Sequence, residues 1–90
     1  MVNNKRTASA VIKVFPNPAV NFLFVEPQGA TVGKTQVTIL GGGGEKLYTK
    51  EFIVNGQQVL TLDVRKLTAG RYFVKTVNGT EQTITPFIKN

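Results

Sequence analysis

The chain has 90 residues and a formal charge of +6, and it contains neither cysteine nor histidine. This length gives one domain with a small core, while the missing residue types exclude disulfides, the usual zinc sites and the commonest general base. No enzyme activity, cofactor or metal is expected, because the five carboxylates stand singly along the sequence. They are Glu26, Glu45, Glu51, Asp63 and Glu81.

The basic residues are spread along the whole chain, and only Lys5-Arg6 and Arg65-Lys66 are adjacent pairs. No groove-reading helix or RNP-like motif accompanies them, which favours a solvated basic surface over a nucleic-acid partner. Residues 1–10 contain no apolar core of a signal peptide, and no run approaches the roughly 18–20 apolar residues of a membrane span. We expect residues 1–10 to be a flexible leader, and we expect no membrane span.

Seven apolar segments, separated by Gly, Asn and Pro, predict an all-β fold. The predicted strands are 11–15, 20–26, 35–40, 46–54, 58–64, 70–77 and 81–88. Alternation along them predicts a core of Leu23, Val25, Val37, Ile39, Leu60, Leu62, Val64, Tyr72 and Val74, with Val14 and Ile84 added. Two packed sheets bury these faces, so we expect residues 11–90 to form an immunoglobulin-like antiparallel β-sandwich.

The turns add detail to this fold. Asn55-Gly56 and Asn78-Gly79 are typical of two-residue hairpins, because Asn-Gly adopts positive φ at low cost. The segment from Leu47 to Phe52 does not alternate cleanly, which indicates either a bulge or a strand with two apolar faces. Leu67-x-x-Gly70-x-Tyr72 predicts a tyrosine corner, in which the phenol bonds back to the backbone.

Three apparent binding motifs have simpler interpretations. The segment 29–35 is one residue short of a phosphate-binding loop and precedes a strand where a helix is needed. Four glycines at 41–44 resemble an anion-binding loop, but the strand-like sequence after them favours a hairpin tip. Asn78-Gly79-Thr80 matches an N-glycosylation acceptor, and the Asn-Gly turn is the favoured alternative.

Aromatic residues form a further candidate site. Phe22 and Phe24 alternate with Leu23 and Val25, and Phe15 and Phe73 are candidates to join them. An exposed aromatic stripe would suit a sugar or a protein partner, whereas burial on both faces of a central strand is the favoured interpretation.

Three signatures occur in a fixed order along the chain. They are Phe15-Pro16-Asn17-Pro18-Ala19, then Leu67-x-x-Gly70-x-Tyr72-Phe73-Val74-Lys75, and finally Phe87-Ile88-Lys89-Asn90. Together with Leu23, Val25 and Val37-Thr38-Ile39, they resemble the type A C-terminal sorting domain of the type IX secretion system of Bacteroidota. The resemblance covers residues 11–90, and its order and spacing are more specific than any one motif.

The resemblance implies a secretion signal with defined partners. Such domains are sandwiches that guide an upstream passenger from the periplasm through an outer-membrane translocon to the cell surface or the medium. A surface sortase then cuts before the domain, here in or before residues 3–10, and many cargoes are attached to an anionic lipopolysaccharide. The translocon and sortase recognition residues that it implies are Pro16, Asn17, Pro18, Gly70, Tyr72, Lys75, Phe87, Ile88, Lys89 and Asn90.

The two prolines have a structural interpretation beside the docking one. Pro16 and Pro18 fix φ and remove two amide donors, so they stop the first strand and hold an extended corner. A last strand at a sheet edge offers unpaired backbone groups, which predicts reading of residues 83–90 by strand addition.

The chain departs from the family at residues 41–44, where polar residues with one glycine are usual, and at Thr85-Pro86, where basic residues are common. The alternative function is an immunoglobulin-like accessory module that binds carbohydrate or protein on a secreted enzyme.

Overall fold

The computed structural model describes residues 12–27, 32–55 and 58–90. These residues form seven strands, as predicted, with bounds that move by up to three residues. The strands are β1 (Ile12–Phe15), β2 (Phe22–Pro27), β3 (Val32–Leu40), β4 (Lys46–Asn55), β5 (Leu60–Asp63), β6 (Gly70–Asn78) and β7 (Glu81–Lys89). No membrane-spanning helix is present in this part of the chain.

The strands form two antiparallel sheets. A small sheet has the order β1-β2-β5, and a large sheet has the order β4-β3-β6-β7. The predicted immunoglobulin-like sandwich is confirmed. Strand β1 lies beside β7, so β5, at the opposite edge of the small sheet, lies towards β3 and β4.

The core lies between the sheets and contains nearly all the predicted residues. The two central strands β2 and β3 contribute Leu23, Val25, Val37 and Ile39, each exposed by at most 1%. Every other predicted core residue of β5, Val64 and β6 is also buried, and Val14 is half-buried against the same cluster. Sequence reasoning missed Ala19, Val54 and Phe87.

The prediction of Ile84 as a core residue is wrong, because β7 has the opposite facing. Ile84 is 59% exposed, whereas Phe87 is buried and its ring stacks on Tyr72 with centroids 5.7 Å apart. Tyr72 and Phe87 are paired across β6 and β7, and this pairing fixes which residues of β7 point inwards.

The hairpin between β3 and β4 ends in the glycine turn at 41–44. Gly41 donates to the Glu45 carbonyl over 2.8 Å, and Gly44 donates to the Gly41 carbonyl over 2.9 Å. The register shifts beside this turn, where Ile39 faces Tyr48 but Leu40 faces Lys46, so Leu47 is the extra residue of a bulge. The hairpin tip and the bulge alternative are both confirmed.

The two Asn-Gly predictions have different outcomes. Asn55-Gly56 does not join a hairpin, because β4 and β5 belong to different sheets; Gly56 itself lies outside the described residues. The second turn does join paired strands, β6 and β7, but it is displaced by one residue. Asn78 pairs with Glu81, so Gly79 and Thr80 form the loop, and Gly79 has a φ of 61°.

The side chain of Asn78 is held against β3 by hydrogen bonds. Its Nδ2 donates to the carbonyls of Val32 and Lys34 and to the Thr35 hydroxyl, over 2.9–3.2 Å. A glycan would have to be attached at this same nitrogen. The turn interpretation of 78–80 is therefore supported over glycosylation.

The phosphate-loop interpretation of 29–35 has no support in the described part of this segment. Residues 32–35 lie within β3, where a phosphate-binding loop requires the start of a helix.

Candidate recognition site at one end of the sandwich

The first and last signatures meet at one end of the sandwich. Ile88 donates its backbone N–H to Asn17 Oδ1 over 2.9 Å, and its carbonyl accepts the Ala19 N–H over 2.7 Å. Asn90 donates its N–H to the Ala19 carbonyl over 2.8 Å, so residues 17–19 run as a short parallel bridge along the end of β7. The peptide bonds before Pro16 and Pro18 are both cis.

This bridge corrects the expectation that strand addition reads all of residues 83–90. The outward backbone groups of Ile88 are already bonded by Asn17 and Ala19. Pro86 is the next residue along β7 whose backbone points to this outer edge, and proline has no N–H to donate. The end of β7 is therefore covered by the chain itself, and its side chains are what it offers to a partner.

The second signature lies directly beside the third. Gly70, Arg71 and Tyr72 pair with Lys89, Ile88 and Phe87 across β6 and β7. Gly70 has a φ of 155°, a backbone conformation that side chains disfavour. Glycine at this position lets β6 begin where it must to place Tyr72 opposite Phe87.

The predicted tyrosine corner is present. The Tyr72 hydroxyl donates to the Thr68 carbonyl over 2.6 Å, and the Thr68 hydroxyl lies 3.2 Å from the Tyr72 hydroxyl oxygen. Because the ring also stacks on Phe87, Tyr72 fixes both the turn before β6 and the last strand. Its role here is to hold the end of the sandwich in shape.

Exposure divides nine of the ten predicted recognition residues into two groups. Tyr72, Phe87 and Lys89 are buried, with exposures of 8%, 1% and 8%. The exposed residues at this end are Pro16, Asn17, Pro18, Gly70, Ile88 and Asn90. We call these six, with Arg71, the signature end.

Lys75 lies away from this cluster. It is half-buried on the outer face of the large sheet, opposite Thr38 and Ile84. The structure therefore separates Lys75 from the other nine predicted residues.

A shallow depression of about 200 Å³ marks the signature end. It is lined by Asn17, Arg71, Pro86, Phe87 and Ile88. Sequence reasoning missed Arg71 and Pro86, although Arg71 stands between Gly70 and Tyr72 and strand alternation turns it outwards. The depression combines apolar walls with one guanidinium, which suits a partner segment that carries an apolar side chain and a carboxylate.

The aromatic residues divide between the two sheets. Phe15 and Phe24 pair on the outer face of the small sheet, with ring centroids 5.6 Å apart, and Phe22 shares that face. The favoured prediction of burial on both faces is wrong for Phe22, which is 40% exposed. Phe73 does not join them, because it lies in the large sheet.

Cations lie over the rings of this face. Lys13 Nζ is 5.5 Å from the centroid of Phe15, and the Arg65 guanidinium is 5.3 Å from that of Phe22. These contacts use ring surface that a sugar would stack on, so the face does not favour the carbohydrate-binding alternative.

Arg65 also forms a salt bridge with Asp63. Its Nε and Nη2 donate to the two oxygens of Asp63 over 3.0 and 2.7 Å. The side-chain hydrogen bonds from Arg65, helped by its backbone N–H, lower the pKa of Asp63 to about 2. No metal-binding cluster of three or more acidic, His or Cys residues occurs in the described ranges.

A protein-family model described as a secretion system C-terminal sorting domain matches residues 13–90. The chain belongs to this family. The domain is the type IX secretion sorting signal, a signal and not a catalytic domain, and it indicates contact with the type IX machinery, a passenger protein and export to the cell surface or beyond. No curated protein matches the chain.

Proposed function

We propose that this sorting domain is read by the type IX translocon at its signature end, after the passenger has reached the periplasm. The observation that carries the proposal is the convergence of three signatures at one surface. Asn17 and Ile88 are 71 positions apart in the chain, yet a direct hydrogen bond joins them. A packed core alone does not require an exposed asparagine to bond an exposed edge strand.

The proposal assigns different tasks to the two groups of residues. Arg71, Ile88 and the residues around Asn17 contact the translocon through the depression. The buried residues Tyr72 and Phe87 set the shape of that surface and do not touch the partner.

The leader supplies the cleavage region. Ile12 pairs with Pro27, whereas Phe15 pairs with Phe24 nearer the signature end, so the chain enters β1 from the other direction. A segment of ten extended residues spans up to about 33 Å. A surface sortase therefore has room to cut within or before residues 3–10 while the sandwich, residues 11–90, stays folded and docked. After the cut, the passenger is anchored at the cell surface or released, and the domain itself performs no catalysis.

The experiment compares two isoleucines on the same face of β7. A periplasmically targeted fluorescent passenger is fused ahead of Met1 in a host with the type IX system, and export is measured for Ile88→Thr and Ile84→Thr. Both side chains are exposed, by 41% and 59%, but only Ile88 lines the depression. We expect Ile88→Thr to reduce surface and medium fluorescence severalfold and Ile84→Thr to leave it unchanged.

Two results would contradict the proposal. If both variants are exported equally well, the translocon does not recognise the signature end. If the fusion with the unchanged domain is still exported in a translocon mutant, its export does not use the type IX system. Deleting residues 87–90 is a less specific test, because Phe87 belongs to the core and its loss also destabilises the sandwich.

A further inference from the structure

The small sheet has three strands above a large sheet of four, and this mismatch leaves one inward face incompletely covered. At one edge β1 lies beside β7, and at the other edge β5 shares a cleft with β3 and β4, so three strands face four. Tyr48 and Phe52 share the inward face of β4 with buried Val54, yet they are only half-buried. Lys50 lies between them and is exposed, with its Nζ 5.1 Å from the Phe52 ring centroid.

A cleft of about 350 Å³ lies between this face and β5. It is lined by Ile39, Leu47, Tyr48, Asp63, Lys66 and Leu67. Leu47, the extra residue of the bulge, is 45% exposed there. The cleft thus has an apolar floor with Lys66 and Asp63 at its margin, and Lys50 follows Tyr48 along the same face of β4.

The edge of β5 beside this cleft offers backbone groups. Val64 donates its N–H to the Asn21 carbonyl, so alternate residues Leu62 and Leu60 also direct their backbone groups towards β2. Thr61 and Asp63 then direct their N–H and C=O groups to the other edge. Within 12–27, 32–55 and 58–90, no strand pairs with β5 on that edge.

We propose that this position is a docking site for an extended, acidic segment of a partner protein, which adds a fourth strand to the small sheet. Its backbone pairs with Thr61 and Asp63, and its inward apolar side chains cover Tyr48 and Phe52. Its carboxylates lie near Lys50 and Lys66.

Charge decides between the occupants. The chain's own leader carries Lys5 and Arg6, and a second copy carries the same +6. Both would be repelled by Lys66 at the cleft and by the exposed Lys50 on β4, because the one carboxylate that lines the cleft, Asp63, is already paired with Arg65. An acidic partner is attracted instead. None of the residues that line this cleft lines the depression at the signature end. The proposal goes beyond the sorting function, and its test does not measure export, so a failure of one is distinguishable from a failure of the other.

The test is an NMR titration of the full 90-residue chain with two synthetic nine-residue peptides, one alternating valine with glutamate and the other alternating valine with lysine. We expect the glutamate peptide to shift the Thr61 and Asp63 amides and the ring signals of Tyr48 and Phe52. The lysine peptide should leave them unchanged.

Matched charge reversals test the specificity. Lys50→Glu should weaken binding of the glutamate peptide by roughly fivefold, whereas Lys34→Glu, on the outer face of the large sheet, should not change it. Thr61→Pro removes one backbone N–H donor from the outward edge of β5 and should abolish binding of the glutamate peptide. If Thr61→Pro does not fold, the charge reversal Lys50→Glu, at an exposed position, still tests the proposal.

Several results overturn the proposal. Shifts confined to the β7 edge at Gln82 and Ile84, or no shifts at millimolar peptide, remove the site. Concentration-dependent shifts of Thr61 without peptide identify a second copy as the occupant. A change at Thr61 on deletion of residues 1–10 identifies the chain's own leader.

Discussion

Asn17 is the residue whose substitution tests the signature end most directly. Three hydrogen bonds hold residues 88–90 against residues 17–19, and only one of them uses a side chain, the 2.9 Å bond from the Ile88 N–H to Asn17 Oδ1. Asn17→Ala removes that acceptor and leaves the two backbone bonds. A hydrogen bond of this kind contributes about 1 kcal/mol, so local opening at Ile88 should become about fivefold more frequent.

Amide hydrogen exchange at Ile88 measures this change, because its rate follows the frequency of local opening. Asn17→Asp keeps an acceptor in the same place and should exchange within about twofold of the unchanged protein. Asn21→Ala removes an exposed asparagine side chain at the same end, but its backbone carbonyl still accepts from Val64, so it should have no effect at Ile88. An unchanged rate in Asn17→Ala, or an equal rise in Asn17→Asp, would refute the assignment.

Three other substitutions or titrations test the surrounding structure. Tyr72→Phe leaves the corner carbonyl without its donor and should lower the free energy of unfolding in urea by about 1–2 kcal/mol. Gly70→Ala imposes a side chain at a φ of 155° and should lower the free energy of unfolding by roughly 1–2 kcal/mol in the same assay. Gly42→Ala, at an exposed turn position, should lower it by about 0.5 kcal/mol or less. Equal losses of stability in the two variants would contradict backbone strain at position 70. The Asp63 carboxyl should titrate near pH 2 by NMR and return towards 3.8 in Arg65→Gln. Because the folded pKa is lowered, its contribution to stability is present above about pH 4 and is lost as the pH falls through about 2. If the titration midpoint of Asp63 is unchanged in Arg65→Gln, Arg65 is not the cause of the lowered pKa.

Strand alternation predicts the central strands well and the last strand poorly. In β3 and β6, buried residues such as Val37 and Tyr72 stand beside exposed polar residues such as Gln36 and Arg71, so the inward face is evident from the sequence. In β7, apolar side chains stand at both even and odd positions, Ile84 and Ile88 against Phe87. Only the pairing with Tyr72 decides between them, and a period of two contains no information about pairing.

The Asn55-Gly56 pair illustrates a related limit of sequence-based prediction. An Asn-Gly pair states a local preference for positive φ, but it does not determine whether the flanking strands pair with each other. At Asn55 the chain passes from the large sheet to the small one. That choice depends on which faces need to be covered, which is a property of the whole core.

The residues of the signature end were predictable from the sequence, but their arrangement was not. The motifs identified Asn17, Gly70 and Ile88 as candidates, because the family resemblance depends on residue types and spacing. Neither the Asn17–Ile88 bond nor the place of Arg71 in the depression follows from those motifs, since both require the register of β6 and β7. The displacement of Lys75 from the cluster requires the same register.

The 71-residue separation between Asn17 and Ile88 gives the surface a further property, which concerns when it exists. It requires residues 88–90, so a ribosome that stalls earlier or a protease that trims the chain leaves no complete surface. Contacts this distant in sequence also form late, after most of the chain has been brought together. A translocon that reads this end, as proposed above, therefore reads a folded domain, because neither residues 17–19 nor residues 88–90 form the surface alone.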